Sequence, residues 1–339
     1  MKKVSIADVA KVAGVSKSTV SQYLNKRFHF MGEDTKYKIT QAIEDLNYKP
    51  NYIARSLKQK KTSTIGVIVA NISHSFSTQI IQAIESYCQL NQFHVIVSNA
   101  DDSPEKEKNH IEMLLAKQVD GLIVFPTGEN QQVYQNLLDE NFPLIFIDRL
   151  GPNGKGTSIL LDNEKAIHLA VKHLTEENVY NLGIVTTTLK QQLTPRLERV
   201  DAFHKVMQKK GIRFNENFII STEIKNMKND IKKMLLVDNP PNGIIAGNDL
   251  SLLQVLELFR EENVKIPEDI SVIGIDEVSF AKAFHPTITT IAQPIFDMGT
   301  EAAKILIKKI NKEIKEDDKI YRFEPEIIVR ESSKRLLRK

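Results

Sequence analysis

The sequence predicts a small all-α head followed by an α/β body of two doubly wound lobes, and three observations carry that prediction. Apolar residues recur at helical spacing up to about Tyr48, and from Thr64 onward short apolar runs alternate with amphipathic helices. Charge is divided unevenly between the two zones. Up to Lys61 there are 13 Lys and Arg against 5 Asp and Glu, a net of +8, whereas the remainder holds 33 against 38. Such asymmetry points to a basic module for a polyanion joined to a neutral or acidic body, with a solvated basic face as the plainer alternative.

A chain of 339 residues is long for one core, so two or three domains are expected. At 41% apolar and 26% charged residues, with no low-complexity tract, the composition is that of a folded protein. Cys88 is the sole cysteine, which excludes an intramolecular disulfide and a Cys-based zinc site; its apolar helical neighbours place it in a core. The opening "MKKVSIADVAKVAGV" lacks an uninterrupted apolar segment and a cleavage site, and no stretch approaches eighteen apolar residues. A cytoplasmic protein is expected.

In the head, Ile6, Val9, Ala10 and Ala13 share one helical face, Val20 and Leu24 form the next, and Ile39, Ala42, Ile43 and Leu46 a third. Ser5, with Asp8 three residues on, can cap the first helix, and Ser16 the second after a turn at Gly14. Pro50 biases the residue before it away from helix, and Asn51 can then start one or two turns through Leu57. So short a helix is marginal in water and needs something to hold it. Beyond it, "TIGVIVANI", "HVIVSNA", "DGLIVFP" and "PLIFID" read as strands separated by helices, and the alternation restarts with "NEKAIHLAVKHL", "NLGIVTTT", "NGIIAGN", "DLSLLQVLELFREE" and "ISVIGID". Repeated βα units make parallel sheets covered on both faces, and ligands bind beyond the carboxyl ends of such strands. Asn71, Asn99, Asp101, Asp148, Asn248 and Asp276 are therefore expected to point toward one cleft.

Two helices joined by a Gly-containing turn, the second opening at a Ser cap, match a DNA-reading helix-turn-helix. The run "VSIADVAKVAGVSKSTVSQYLN", then "NYIARSLK", then "TIGVIVANI" resembles the lactose-repressor (LacI/GalR) family of bacterial transcription regulators. The resemblance continues through "GLIVFP", "FIDR", "LDN", "ERVDAF", "GNDL", "PEDISVIGID" and "TTIAQP", and so covers nearly the whole chain. It implies a helix-turn-helix DNA-binding head over residues 1–49 and a hinge helix and linker over 50–62. Residues 63–333 would form a two-lobed body, similar to periplasmic sugar-binding proteins, that binds an effector and dimerises; 334–339 is a basic tail.

The resemblance also implies roles for particular residues. Lys17, Ser18 and Gln22 would read base edges in the major groove, while Ser16, Thr19, Ser21 and Asn25 carry short donors suited to phosphate oxygens. Ser5 stands with this DNA-side set. Where Gln22 and Tyr23 stand, many members have Arg and an aliphatic residue; Gln suits adenine better than guanine, so the half-site should differ. The loop "KRFHFM" carries one extra residue before the third helix, and Arg27 or His29 could reach phosphate or base. Asn51, Arg55, Leu57 and Lys58 match the hinge helix, with Leu57 as a minor-groove wedge between base pairs.

For the body, the resemblance places effector contacts at Arg199, Asp276, Asn248, Asp148 and Gln293, and in the loop holding His74, Phe76 and Ser77. Arg196 and Arg149 add guanidinium groups, and Arg forks suit carboxylates and phosphates, which favours an anionic effector such as a sugar acid over a neutral sugar. The combination of "VSQYLN", "RFHFM", "SHSFSTQI", "NADDSPEKEK" and "TPRLER" is similar to regulators of 2-keto-3-deoxygluconate and hexuronate catabolism, the KdgR type. A homodimeric repressor of sugar or sugar-acid genes, on a pseudo-palindromic operator and without metal or other cofactor, is the expectation. The rivals are a cytoplasmic sugar-binding protein, which leaves the basic head unexplained, and a sugar enzyme. For the latter there is no nucleophile elbow, and "GPNGKGTS" departs from a phosphate loop, because Gly156 rather than Ser or Thr follows Lys155; it reads as a surface turn.

Overall fold

In the computed structural model, residues 4–24, 27–29, 31–48, 61–314 and 318–334 are described, and the chain divides into two compact units between Thr62 and Ser63. The first holds α1 (Ile6–Val12), α2 (Lys17–Leu24) and α3 (Glu33–Asp45). The Asp8 carboxylate accepts from the Ser5 amide at 2.8 Å and from its hydroxyl at 2.6 Å, fixing the start of α1. Gly14, at φ +64°, makes the turn, and the Ser16 hydroxyl then accepts the Thr19 amide at 3.1 Å to cap α2. Val9, Ala10, Ala13, Val20, Ile39, Ala42 and Tyr48 form the buried centre, with Ile6, Leu24, Ile43 and Leu46 packed around it.

The second unit contains two six-stranded sheets. One has the order β11-β5-β4-β3-β1-β2, all parallel, built from β1 (Thr64–Val69), β2 (His94–Asn99), β3 (Gly121–Val124), β4 (Leu144–Ile147), β5 (Thr157–Leu161) and β11 (Ile320–Phe323). The other has the order β12-β10-β9-β8-β6-β7 and contains β6 (Leu182–Thr187), β7 (Ile219–Thr222), β8 (Gly243–Ala246), β9 (Ser271–Ile275), β10 (Thr289–Ala292) and β12 (Glu326–Ile328); only the β10–β12 pairing is antiparallel. The central strands are buried end to end, as a sheet covered on both faces requires.

Helices cover each face. On the first sheet α4 (Ser75–Leu90) and α11 (Ile295–Ile310) lie on one side, joined through Ile80, Ile84, Cys88, Met298, Ala302 and Leu306. α5 (Pro104–Ala116) and α6 (Gln131–Asp139) lie on the other, with Ile111, Leu114, Tyr134 and Leu137 inward. Burial pushes the Cys88 thiol up to about 12, in keeping with a core side chain. The second sheet is sandwiched by α7 (Asn163–Glu176) and α8 (Thr194–Lys209) on one face, and by α9 (Ile224–Leu235) and α10 (Asp249–Glu261) on the other.

The lobes are not consecutive stretches of chain, as the simple restart of the alternation would have it. The chain passes between the sheets after β5, after β10 and again after β11, so α11 and β11, both late in the sequence, complete the first lobe. Within this unit the lobes also touch. His74 Nδ1, just before α4, lies 2.6 Å from Asp249 Oδ1 at the start of α10, and the Ser75 amide donates to Asp249 Oδ2 at 3.1 Å. The Leu150 amide donates to the Thr194 hydroxyl at 3.0 Å. Among the described residues no helix is long and apolar enough to cross a membrane.

The stretch "GPNGKGTS" joins β4 to β5, and only its tip is exposed: Asn153 and Lys155 face solvent, while Gly151, Pro152 and Gly156 are buried. This corrects the surface-turn reading for its flanks, and Phe146 supplies the reason by packing under both glycines. A Cβ at Gly151 would meet Lys155 O at 2.2 Å and the Phe146 ring at 2.4 Å. Gly151→Ala is therefore expected to cost about 2 to 3 kcal/mol, as overpacked cores do, read as a lowered denaturant midpoint of the body.

The pH dependence of the lobe contact follows from its two groups. Burial works to lower the His74 pKa, but the hydrogen bond and charge of Asp249, with Asp102 and Asp276 behind it, hold the imidazole above 6.5. Burial works to raise Asp249, but His74 and the amides of Ser75 and Leu250 hold it below 3.8. The His74 contribution is complete below about pH 6.5 and is lost as pH rises through its raised value, whereas that of Asp249 is lost only as pH falls through its depressed one. The gap in melting temperature between wild type and His74→Gln should be widest below about pH 6.5 and narrow as pH rises through the raised His74 value; a gap that does not narrow on the alkaline side would contradict the assignment.

Candidate functional site

The carboxyl ends of the strands of both sheets face each other across a cavity of about 50 Å³. Around it stand all ten residues singled out for the body. His74, Phe76 and Ser77 come from the β1–α4 loop and first turn, Asp148 and Arg149 follow β4, and Arg196 and Arg199 lie on α8. Asn248 precedes α10, Asp276 follows β9 and Gln293 follows β10. Asp148 and Asp276 adopt φ of +66° and +86°, a left-handed conformation that costs strain and turns their side chains at the strand ends.

Two strand-end expectations fail. Asn99 spends its side chain on the amides of Ile72 and Asp101, at 3.0 and 3.3 Å, and Asp101 is an exposed partner of Lys106 at 2.9 Å. Neither lines the cavity, because β2 is the outermost strand of its sheet and its end lies to one side. Asn71, at the end of central β1, does line it and donates to Asp102 at 2.8 Å.

Three guanidinium groups set the electrostatics. Arg199 donates from Nε to Asn163 Oδ1 at 2.8 Å and from Nη1 to Gly247 O at 2.5 Å. Arg196 Nη1 is held by Thr188 O at 2.9 Å and Gln191 Oε1 at 3.0 Å, and Arg149 Nη1 by Pro126 O at 2.6 Å. Burial and then the charge of Arg149 lower Arg196 to about 10, so it stays cationic at neutral pH. Burial raises the Asp276 carboxyl, with Arg199 opposing and Asp249 reinforcing the shift. Asp276 is hydrogen-bonded to Gln293 Nε2.

Against the three arginines the lining sets Asp148 and Asp276, with Asp102 acting on Arg196 from behind Asn71 and Asp249 committed to His74. Arg149 Nε and Gln293 Oε1 are buried without a hydrogen-bond partner, although Arg149 Nε lies 3.4 Å from Asp148. A buried donor and a buried acceptor on one small cavity are what a ligand carrying both an anion and hydroxyls would satisfy. Phe76 and Phe125 meet edge to face at 6.1 Å and supply an apolar wall.

Sequence reasoning missed several supports. Asp249 sits beside Asn248 in "GNDL" and holds His74; Asn163, in "LDN", holds Arg199. Glu107, fully buried, accepts from the Thr127 amide and hydroxyl at 2.9 and 2.6 Å and from Asn130 at 2.6 Å, bracing the loop whose Pro126 carbonyl holds Arg149. Nothing in the charged run "PEKEK" distinguishes that glutamate. Asn248 Oδ1 is occupied as the cap of α10, accepting the Ser251 amide at 2.9 Å. Among the described residues no group of three or more His, Cys, Asp and Glu could hold a metal ion.

In the first unit Lys17, Ser18 and Gln22 are exposed on α2, and Thr19 and Ser21 are half-buried beside them. Ser5 and Ser16 are engaged as caps. Arg27 and His29 are exposed on either side of Phe28. Phe28 packs edge to face on Tyr23 at 5.8 Å beneath Lys36 Nζ at 5.1 Å, and the Tyr23 hydroxyl meets Thr40 at 2.6 Å. The departures at Tyr23 and in the loop are thus one packed feature. Asn25, Asn51, Arg55, Leu57 and Lys58 lie outside the described residues.

Comparison with known proteins assigns both units. Residues 5–51 match the family model described as bacterial regulatory proteins, lacI family, and residues 171–333 match a periplasmic binding protein-like domain. The chain is 46% identical over 332 residues to EndR of Paenibacillus polymyxa, an HTH-type transcriptional regulator by name, covering 97% of this chain and 98% of the relative. It is 35% identical over 337 residues to the HTH-type transcriptional repressor PurR of Histophilus somni, covering 98% and 99%. Its structure resembles that of the Lac repressor dimer bound to operator and the anti-inducer ONPF, with a TM-score of 0.84 at 25% identity over 98% of this chain and 99% of that one. The chain belongs to the LacI family of DNA-binding transcriptional regulators.

Proposed function

We propose that this regulator is a repressor of sugar or sugar-acid catabolic genes, released from or driven onto its operator by an anionic effector held between the lobes. The observation that carries the effector class is the set of three guanidinium groups against two carboxylates in the cavity lining, with Gln293 Oε1 and Arg149 Nε buried and making no hydrogen bond. Arg149, Arg196 and Arg199 would take a carboxylate or phosphate, while Asp148, Asp276, Asn248 and Gln293 would take hydroxyls, and His74, Phe76 and Ser77 the remaining face. Hexuronate breakdown products of the 2-keto-3-deoxygluconate type combine an anion with several hydroxyls and fit that division. A neutral sugar is the alternative; it leaves the positive surplus unanswered.

On the DNA side, Lys17, Ser18 and Gln22 would read the major groove, and the exposed Arg27 and His29, presented by the Tyr23–Phe28–Lys36 packing, would extend the footprint. The protein would act as a dimer. A groove of about 410 Å³ on the second lobe, lined by Leu253, Leu256, Phe280 and Phe284 with Glu257 and Arg260, offers an apolar face for a second copy.

Four measurements test this reading. On an operator selected from random DNA, Gln22→Ala should weaken binding about tenfold or more, as loss of a bidentate base contact does, and wild-type affinity should fall steeply with salt. Leu57→Ala should weaken operator binding sharply and leave the body folded; unchanged gel-shift affinity would remove the hinge assignment. Calorimetric titration with 2-keto-3-deoxygluconate, its phosphate, neutral hexoses and purine bases should give heat with an acid and none with Arg199→Ala. Binding confined to a neutral hexose or a purine would overturn the effector class.

A further inference from the structure

A continuous chain of hydrogen bonds leads from the cavity to the crossovers between the lobes. Arg199 Nε donates to Asn163 Oδ1 at 2.8 Å, and Asn163 Nδ2 donates to Glu198 Oε2 at 2.8 Å. Glu198 in turn accepts both ends of the Arg322 guanidinium, Nη1 at 3.0 Å and Nη2 at 2.6 Å. Glu198 lies on α8 of the second lobe and Arg322 on β11 of the first, so the last link spans the lobes. Arg322 Nη1 also donates to Leu161 O at 3.2 Å, at the end of β5 where the chain leaves the first sheet. Beside it the Asp162 amide donates to Phe323 O at 2.8 Å, and Lys165 pairs with Glu324 at 2.5 Å, tying two crossovers together.

Asn163 is buried and its amide orientation is dictated from both sides: the carbonyl must face Arg199 and the NH₂ group must face the carboxylate of Glu198. A displacement of the Arg199 guanidinium therefore cannot be absorbed by a flip of Asn163 and has to be passed on or break a bond. Glu198 is sequence neighbour to Arg199 and shares Asn163 with it, while its carboxylate also reaches Arg322 on β11, so the helix presents the ligand-facing cation and the crossover-facing anion on successive residues. We propose that Asn163, Glu198 and Arg322 are positioning residues that couple the state of Arg199 to the angle between the lobes. This rests on the reading of the cavity as the effector site. Lobe rotation that moves α8 against β11 would break the Glu198–Arg322 fork, which would give the ligand a difference between two states on which to act.

The test has a ligand-free arm and a ligand arm, both on the full-length protein. In hydrogen exchange, Arg199→Lys and Arg322→Lys should each speed exchange of peptides covering residues 158–163 and 320–326 at least threefold, and the double variant should exceed the faster single variant by less than twofold. Multiplicative acceleration in the double variant means that the two ends act independently and overturns the relay. In the second arm, Glu198→Gln should keep the dissociation constant for 2-keto-3-deoxygluconate within threefold of wild type, while its effect on operator affinity falls at least fivefold. A full operator response in Glu198→Gln overturns the relay. If wild type gives no heat with this acid or its phosphate, the effector reading has failed and the exchange experiment alone decides the coupling.

Discussion

Three arginines held between two sheets are the constraint around which the body is organised. A guanidinium cannot lose its charge, so its removal from water must be answered by carbonyls and carboxylates placed in advance. Arg149, Arg196 and Arg199 each lean on a backbone carbonyl, from Pro126, Thr188 and Gly247 respectively. Those carbonyls belong to loops at strand carboxyl ends, which is where a parallel sheet leaves backbone groups free. The strained φ of Asp148 and Asp276 belongs to the same solution, because both line the cavity beside the arginines from left-handed turns at the strand ends. Supports behind them, Glu107 under the Pro126 loop and Asn163 under Arg199, are buried for the same reason: a charge held off water needs rigid partners.

Much of this was legible in the sequence because strand ends are. The β-runs "PLIFID", "NGIIAGN" and "ISVIGID" finish on Asp148, Asn248 and Asp276, and period-two or fully apolar runs followed by a polar residue locate the cleft without further information. The same rule misled at Asn99 and Asp101, since it does not say which strand is outermost, and strand order is a tertiary property. The threefold passage of the chain between lobes was not legible either. α11 carries an ordinary amphipathic pattern, and only its packing against Ile80, Ile84 and Cys88 assigns it to the first lobe. Asp249 and Asn163 were in quoted runs, yet a carboxylate that pairs across a cleft looks in sequence like any helix-starting acid.

The head shows how a local departure can be self-consistent. An aromatic at Tyr23 in place of an aliphatic residue, and a loop longer by one residue, each look costly alone. Together they let Phe28 cover Tyr23 and accept Lys36 above its ring, while the Tyr23 hydroxyl finds Thr40. Phe28 is thereby held by side chains, and its neighbours Arg27 and His29 stand exposed.

The size of the cavity bears on how any effector acts. Ligand pockets commonly measure about 300 to 1,000 Å³, whereas the space among these residues is about 50 Å³, close to one or two waters. Parting of the lobes would make room for a larger ligand, at the expense of the His74–Asp249 contact, the Leu150–Thr194 bond or both. The arrangement described here is then one of two states, and its stability relative to the other is set partly by contacts that never touch the ligand. A weak latch makes the closed state easy to leave and the protein sensitive to low ligand concentrations; a strong one does the reverse. His74 and Asp249 are thus as much determinants of the response as the arginines are, through the energy of closure rather than through recognition.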